Sequence, residues 1–244
     1  MKIFVPSKAR PGCKTFWLLR NAGLEPTVVI EKQDVKIYAE AGINNVLVLE
    51  ESNRGIAYSR QQILEYCRSK SHEWFWMIDD DITGFYIWNG QKLVQENAIS
   101  VLGQALAETQ KMKNIAVAGM DFRQFAWSHK GKSIFNTQIC AVTLINTKRT
   151  ELINYSDQMM EDRDFCIQAI LSGYRTVRFT KFAFNTPPMG KEGGGCQTIG
   201  NRQKLMKQAV KNLMAKYGRD CIKPYKKKNG WYDCRINWKK ISGK

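Results

Sequence analysis

No apolar stretch in this sequence approaches the roughly 20 residues that a membrane-spanning helix needs. Met1–Pro6 is too brief for the apolar region of a secretory signal, so a cytoplasmic protein with no membrane partner is expected. Histidine is nearly missing. His72 and His129 are the two present, too few for a histidine-based zinc enzyme; the first reads as structural and the second as a loop residue. The seven cysteines are odd in number, scattered, and never in a C-x-x-C pair. That excludes a disulfide framework and a structural zinc site, and leaves reduced, mostly buried thiols. Acids are scarce at the end of the chain. Residues 201–244 hold fourteen Lys and Arg against Asp220 and Asp233, a local charge of +12. Only +4 of the total +16 remains for the first 200 residues. A nearly neutral unit followed by a basic extension implies a polyanionic partner.

The 244 residues, 43% of them hydrophobic, suffice for one large α/β domain. Short apolar runs at Ile3–Pro6, Thr27–Ile30, Val46–Leu49 and Trp74–Ile78 read as strands. Helical patterns lie between them at Thr15–Asn21, Val35–Ala41 and Gly55–Ser69. This β-α-β-α-β-α-β order predicts a parallel, doubly wound sheet with ligands beyond the carboxyl ends of the strands. Further on, helices are expected at Asn97–Lys113, Asp162–Ser172 and Arg202–Tyr217. Strands are expected at Ile115–Met120, Gln138–Ile145 and Thr176–Phe184, and the glycine-rich stretch 185–200 reads as a loop. The chain divides into residues 1–200 and a helical, aromatic-rich extension at 201–244.

Trp74-Phe75-Trp76-Met77-Ile78-Asp79-Asp80-Asp81 is the most telling stretch. A buried strand carries three carboxylates to the edge of the sheet, where they repel one another unless a cation neutralises them. Hard oxygen ligands suit Mg²⁺ or Mn²⁺, whose open positions phosphate oxygens commonly fill. Extended alternation puts Asp79 and Asp81 on one face as metal ligands and Asp80 nearer the sugar or ribose of a phosphorylated donor. A second acidic group, Glu161-Asp162, opens a helix. It is either a dipole-favoured helix start or a general base, and the sequence does not choose. Lys8 and Arg10 follow a strand, and Asn53-Arg54-Gly55 precedes the helix that carries Arg60, so each can meet an anion. In the extension, Lys223, Lys226, Lys227, Lys228 and Arg235 alternate with aromatics that include Trp231 and Trp238, a pattern suited to phosphates and stacked bases.

With these motifs in place, the chain resembles the GT-A nucleotide-sugar glycosyltransferases over roughly residues 1–200. The resemblance rests on Val5–Pro11, Asn53-Arg54-Gly55 with Ser59-Arg60, Asp79-Asp80-Asp81, Glu161-Asp162, and Asn185–Pro188 followed by Gly193-Gly194-Gly195-Cys196. Within that fold it is similar to the DNA glycosyltransferases related to the base J glucosyltransferase, several of them phage enzymes that glycosylate 5-hydroxymethylpyrimidines.

The resemblance implies an α/β, GT-A (Rossmann-like), mostly parallel central sheet flanked by helices. It implies a UDP-sugar donor, a divalent metal (Mn²⁺ or Mg²⁺) and hydroxymethylated DNA, most readily 5-hydroxymethylcytosine, as acceptor. Pro6, Ser7, Lys8 and Arg10 would serve the nucleotide, Arg54 and Arg60 the diphosphate or sugar, and Asp80 the donor sugar or ribose. Asp79 and Asp81 would form the metal-binding D-x-D pair, Asp162 or Glu161 the base of an inverting reaction, and Gly193–Gly195 a loop over the donor. Many GT-A enzymes supply a late histidine to the metal; this chain has none after His129. Other classes remain: transfer to a glycan, protein or lipid, nucleotidyl transfer, or a catalytically silent DNA-binding module.

Overall fold

A computed structural model describes residues 1–126, 128, 131–156, 159–187, 202–228 and 230–243. His129 and Gly193, Gly194 and Gly195 lie outside the described residues.

The first 78 residues run β1 (Ile3–Pro6), α1 (Lys14–Asn21), β2 (Thr27–Ile30), α2 (Val35–Glu40), β3 (Val46–Val48), α3 (Ile56–Ser69) and β4 (Trp74–Ile78). The strands lie in the order β3-β2-β1-β4, all parallel, as the alternating pattern predicts. β1 and β2 are almost wholly buried, which is why they read as continuous apolar runs rather than alternating ones.

The second half makes the sheet mixed. After a hairpin of β5 (Gly84–Trp88) and β6 (Leu93–Glu96), α4 (Ala98–Gln110) leads into β7 (Ile115–Phe122) and the short α5 (Arg123–Ala126). β8 (Ser133–Phe135), β9 (Val142–Asn146), α6 (Glu161–Leu171) and the long β10 (Arg175–Asn185) follow. β9 is antiparallel to both β4 and β7, while β10 is parallel to β7 and antiparallel to β5 and β8. The result is a ten-stranded sheet with a parallel half and a mixed half. Gly119 permits the close approach of β7 to the segment before β9. A Cβ there would stand 2.2 Å from Ile139 Cγ2 and 2.5 Å from the Val142 carbonyl.

The strand expected at Gln138–Ile145 is corrected at its start: pairing begins at Val142. Ala141 sits in the left-handed region (φ 60°), the Val142 amide bonds back to Cys140, and the Ile139 amide donates to Cys166 Sγ. The chain therefore turns over residues 138–141, and Gln138 joins the cleft lining rather than a ladder.

The C-terminal segment consists of α7 (Arg202–Tyr217), a hairpin of β11 (Ile222–Lys226) and β12 (Tyr232–Ile236), and α8 (Trp238–Ile241). It packs against α6. Ala209, Val210, Leu213, Ile222, Cys234 and Ile241 share an apolar cluster with Ile167 and Ile170. Fully buried Asp164 of α6 receives Lys216 at 2.8 Å and the Tyr217 hydroxyl at 2.5 Å. Among the described residues no helix is long and apolar enough to cross a membrane.

Candidate active site

β1 and β4 are neighbours in the sheet, so Ser7 and the aspartate triplet emerge side by side at its carboxyl edge. The triplet does not stay extended. Asp79 follows the end of β4, and Asp80 and Asp81 lie in a turn, so the triplet does not continue the strand and strand alternation does not govern its three carboxylates. Thr15 of α1, fully buried, causes the turn. Its hydroxyl donates to the Asp79 carbonyl at 2.5 Å and accepts from the Ile82 amide at 2.8 Å.

Asp80 turns to the opening loop. It accepts from Ser7 Oγ at 2.6 Å and from Arg10 Nη1 at 2.8 Å. Tyr38 of α2 supports this corner from beneath, with its hydroxyl 2.6 Å from Ser7 Oγ and accepting the Arg10 amide at 3.1 Å. Burial pushes the Tyr38 phenol up to about 12, so it stays protonated. Lys8 is held by Glu31 at 3.0 Å and by Asn53 Oδ1 at 2.7 Å, which ties the opening loop to the turn before α3. Gly55, at φ 87°, begins that helix. Arg54 pairs with Glu51.

Asp79 meets Arg60. The guanidinium donates to Asp79 Oδ1 at 2.8 Å and reaches Glu161 Oε1 at 3.1 Å with its other terminal nitrogen. The Arg60 side chain is 9% exposed, as is that of Glu161. Desolvation lifts the Asp79 carboxyl above its ordinary range against the pull of Arg60, and lifts Glu161 in the same way. Arg60 thus stitches the triplet to the start of α6 and faces carboxylates on both sides.

Asp162 is more open than Glu161. Its Oδ2 accepts from Gln138 Nε2 at 2.6 Å and its Oδ1 from the Arg163 amide at 2.8 Å. The residue before the helix, Met160, is left-handed (φ 60°), which sets how α6 begins.

Most of these groups line one cleft of about 1150 Å³, with Thr15 and Tyr38 supporting its lining from outside. Its walls take in Pro6, Ser7, Lys8, Arg10, Arg54, Arg60, all three aspartates, Glu161 and Asp162, and also Arg202, Met206, Lys227 and Asp233 from the C-terminal segment. Every described residue expected to hold the donor, the metal or the acceptor proton is therefore brought together. Thr15, Tyr38, Glu31, Gln138 and Asp233 were not expected. None lies in a motif, and each owes its place to packing between elements distant in sequence.

For a divalent cation, the described residues offer no group of three or more His, Cys, Asp or Glu. A cage made of protein alone does not fit. A Mg²⁺-type site does fit, because such ions are commonly held by one or two carboxylates with substrate phosphates and water completing the shell. Asp79 and Asp81 both line the cleft and are the carboxylates that would supply such a pair.

The expected nucleic-acid residues divide. Lys223, Lys226, Lys228 and Arg235 are exposed. Lys227 pairs with buried Asp233 at 2.8 Å. Trp231 is half-buried, with the Arg202 guanidinium carbon 5.7 Å from the centre of its indole ring. Trp238 is half-buried against two apolar clusters and has a packing role in the fold.

A sequence model of the family described as TET-Associated Glycosyltransferase matches residues 1–195. No curated protein matches the sequence significantly. Among solved structures, glucosyl-3-phosphoglycerate synthase from Mycobacterium tuberculosis, in complex with Mg²⁺ and UDP, aligns with a TM-score of 0.57 and 8% identity. The alignment covers 96% of this chain and 86% of that one. CMP:2-keto-3-deoxy-manno-octonic acid synthetase, complexed with CTP, gives 0.46 and 11% identity over 88% and 98%. The inositol-1-phosphate CTP transferase of T. maritima gives 0.42 and 11% over 85% and 95%. The fold is GT-A, with a central sheet of parallel and antiparallel strands flanked by helices.

Proposed function

The chain belongs to the TET-associated glycosyltransferase family, and on that footing we propose that it moves a sugar from a UDP-sugar to the hydroxymethyl oxygen of a 5-hydroxymethylpyrimidine in DNA, preferentially 5-hydroxymethylcytosine. One observation carries this reading. A single cleft is lined by the Ser7–Arg10–Asp80 corner, by Asp79, Asp81 and Asp162, and by Arg202 and Lys227 of the basic C-terminal segment. The groups read here as donor grip, proton acceptor and phosphate contacts are neighbours in that lining. The UDP and Mg²⁺ held by glucosyl-3-phosphoglycerate synthase, which has the same fold, support the choice of donor. The family's description as TET-associated agrees with a DNA acceptor.

In this reading Pro6, Ser7, Arg10 and Asp80 hold the uracil and ribose, Lys8 and Arg54 face the diphosphate, and Gly193–Gly195 cover the donor. Asp79 and Asp81 hold the divalent cation, which when bound stabilises the negative charge of the departing UDP. Arg60 keeps Asp79 oriented and balances Glu161. The bond from the anomeric carbon to the diphosphate oxygen breaks, and its electron pair leaves on UDP. The carbon is oxocarbenium-like as this happens. The hydroxymethyl oxygen bonds to the opposite face of that carbon and gives its proton to Asp162, inverting the centre. Asp162 suits this better than Glu161, which is buried and engaged by Arg60. Residues 1–200 form the catalytic unit, and 201–244 the acceptor-binding extension. Its exposed Lys223, Lys226, Lys228 and Arg235 contact DNA phosphates.

UDP release tests the proposal. With Mn²⁺ and a UDP-sugar, duplex DNA containing 5-hydroxymethylcytosine is expected to raise the rate, and unmodified DNA is not. Stimulation by a glycan or a peptide instead would move the acceptor out of the nucleic-acid class.

A further inference from the structure

Gln138 matches no motif, yet its side chain bridges two functional parts of the molecule. We propose that Gln138 is a positioning residue for the Asp162 carboxylate, and that the C-terminal hairpin fixes it in that role through Asp233 and Arg163. The inference rests on Asp162 being the proton acceptor.

The geometry forms an unbroken series. Gln138 Nε2 donates to Asp162 Oδ2 at 2.6 Å, and Arg163 Nε donates to Gln138 Oε1 at 3.1 Å. Arg163 Nη1 donates onward to Asp233 Oδ1 at 2.5 Å and to the Cys234 carbonyl at 3.2 Å. Asp233 is 3% exposed and also receives Lys227, the Tyr225 hydroxyl and the Cys234 amide. The amide of Gln138 has one workable orientation. Reversed, its oxygen would face the Asp162 carboxylate and its two hydrogens would face a guanidinium that only donates. The polarity of each bond thus sets the next, from β12 to Asp162.

Asp162 keeps both oxygens hydrogen-bonded without losing its capacity for a further proton, since a carboxylate has about four acceptor positions. Its direction in the cleft, however, is set by Gln138. The family match ends at residue 195, so Asp233 lies in the part of the chain that the match does not cover. The extension therefore does more than hold an acceptor: it completes the orientation of the group that takes the acceptor's proton. A displaced catalytic group about 1 Å from its working position can cost on the order of 100-fold in rate.

The test uses the full chain and two variants. Gln138→Leu keeps the shape and removes both bonds. Arg163→Lys keeps the charge but loses the planar fork that serves Gln138 and Asp233 together. Expected is a fall in kcat of about 10- to 100-fold in each, with the donor KM within about twofold of wild type. A residue of purely structural use would lower the melting temperature and leave kcat of the folded enzyme unchanged; that result in Gln138→Leu overturns the proposal. A second readout needs no turnover. In the wild-type protein one side-chain amide proton of Gln138 should resonate well downfield and return to its ordinary position in Asp162→Ala. An ordinary position in the wild type overturns the proposal as well. A downfield proton in a protein that transfers no sugar would leave the geometry standing and remove the functional reading beneath it.

Discussion

Arg60 donates to Asp79 at 2.8 Å while its other terminal nitrogen faces Glu161, so one buried cation holds an acid that follows β4 and an acid that opens α6. Removing one member of a buried ionic group leaves charge without compensation, at a cost of about 3–5 kcal/mol. Arg60→Met is expected to lose stability on that scale in urea unfolding. Adding Glu161→Gln should restore part of it. If the single variant unfolds at the wild-type midpoint, the ionic link contributes nothing.

Thr15 fixes the aspartate turn from a fully buried position. Thr15→Val keeps the volume but leaves the Ile82 amide unpaired, a penalty of about 1–3 kcal/mol. UDP affinity should fall as well, because Asp80 would no longer be held against Ser7 and Arg10. Calorimetric titration with UDP measures this, and an unchanged affinity would separate the turn from the donor site.

Much of this architecture is legible in the sequence. The β-α alternation through residue 78 shows itself because buried parallel strands leave unbroken apolar runs and helices leave a 3.6-residue period. The two hairpins, β5–β6 and β11–β12, escape such a reading, although Asn89-Gly90 and Asn229-Gly230 are the dipeptides such turns favour. β5 is itself an apolar run, Gly84 to Trp88, but it follows the aspartate triplet within three residues, while β6, β11 and β12 are short and mixed in polarity, so no second apolar run marks either pairing. Ser7, Arg10 and the triplet stand out because polar and charged residues follow strand ends. Thr15, Tyr38 and Gln138 do not, since a hydroxyl or an amide acquires its role only from a partner 24 or more positions away.

Acid stability should depend on Asp233. Burial acts to raise its carboxyl, but hydrogen bonds from Arg163 and Lys227 outweigh that and hold it down to about 2. The unfolded chain binds this proton near pH 4. Asp233 therefore contributes stability above about pH 4, and that contribution drains away as pH falls through 4 toward 2. Thermal melts of the wild type and Asp233→Asn should converge over that interval. Parallel curves would show that the pairing does not matter.

The extension cannot simply be cut off to test DNA binding, since Ile222, Cys234 and Ile241 belong to an apolar cluster shared with α6. Surface substitution is the cleaner route. Replacing Lys223, Lys226, Lys228 and Arg235 with Ala should weaken DNA binding. It should also reduce the slope of log affinity against log salt by about 0.9 for each phosphate no longer neutralised. A slope equal to that of the wild type would place the DNA elsewhere.

The central claim is that the aspartate triplet and Asp162 act together to hand a sugar to a DNA base. Nucleoside mass spectrometry after incubation with a UDP-sugar, Mn²⁺ and 5-hydroxymethylcytosine-containing DNA examines it most directly. The account predicts a modified nucleoside heavier by one sugar residue with the wild type and none with Asp81→Asn or Asp162→Ala. Unaltered nucleosides from a wild-type protein that binds both UDP and DNA, or undiminished product from either variant, would contradict it.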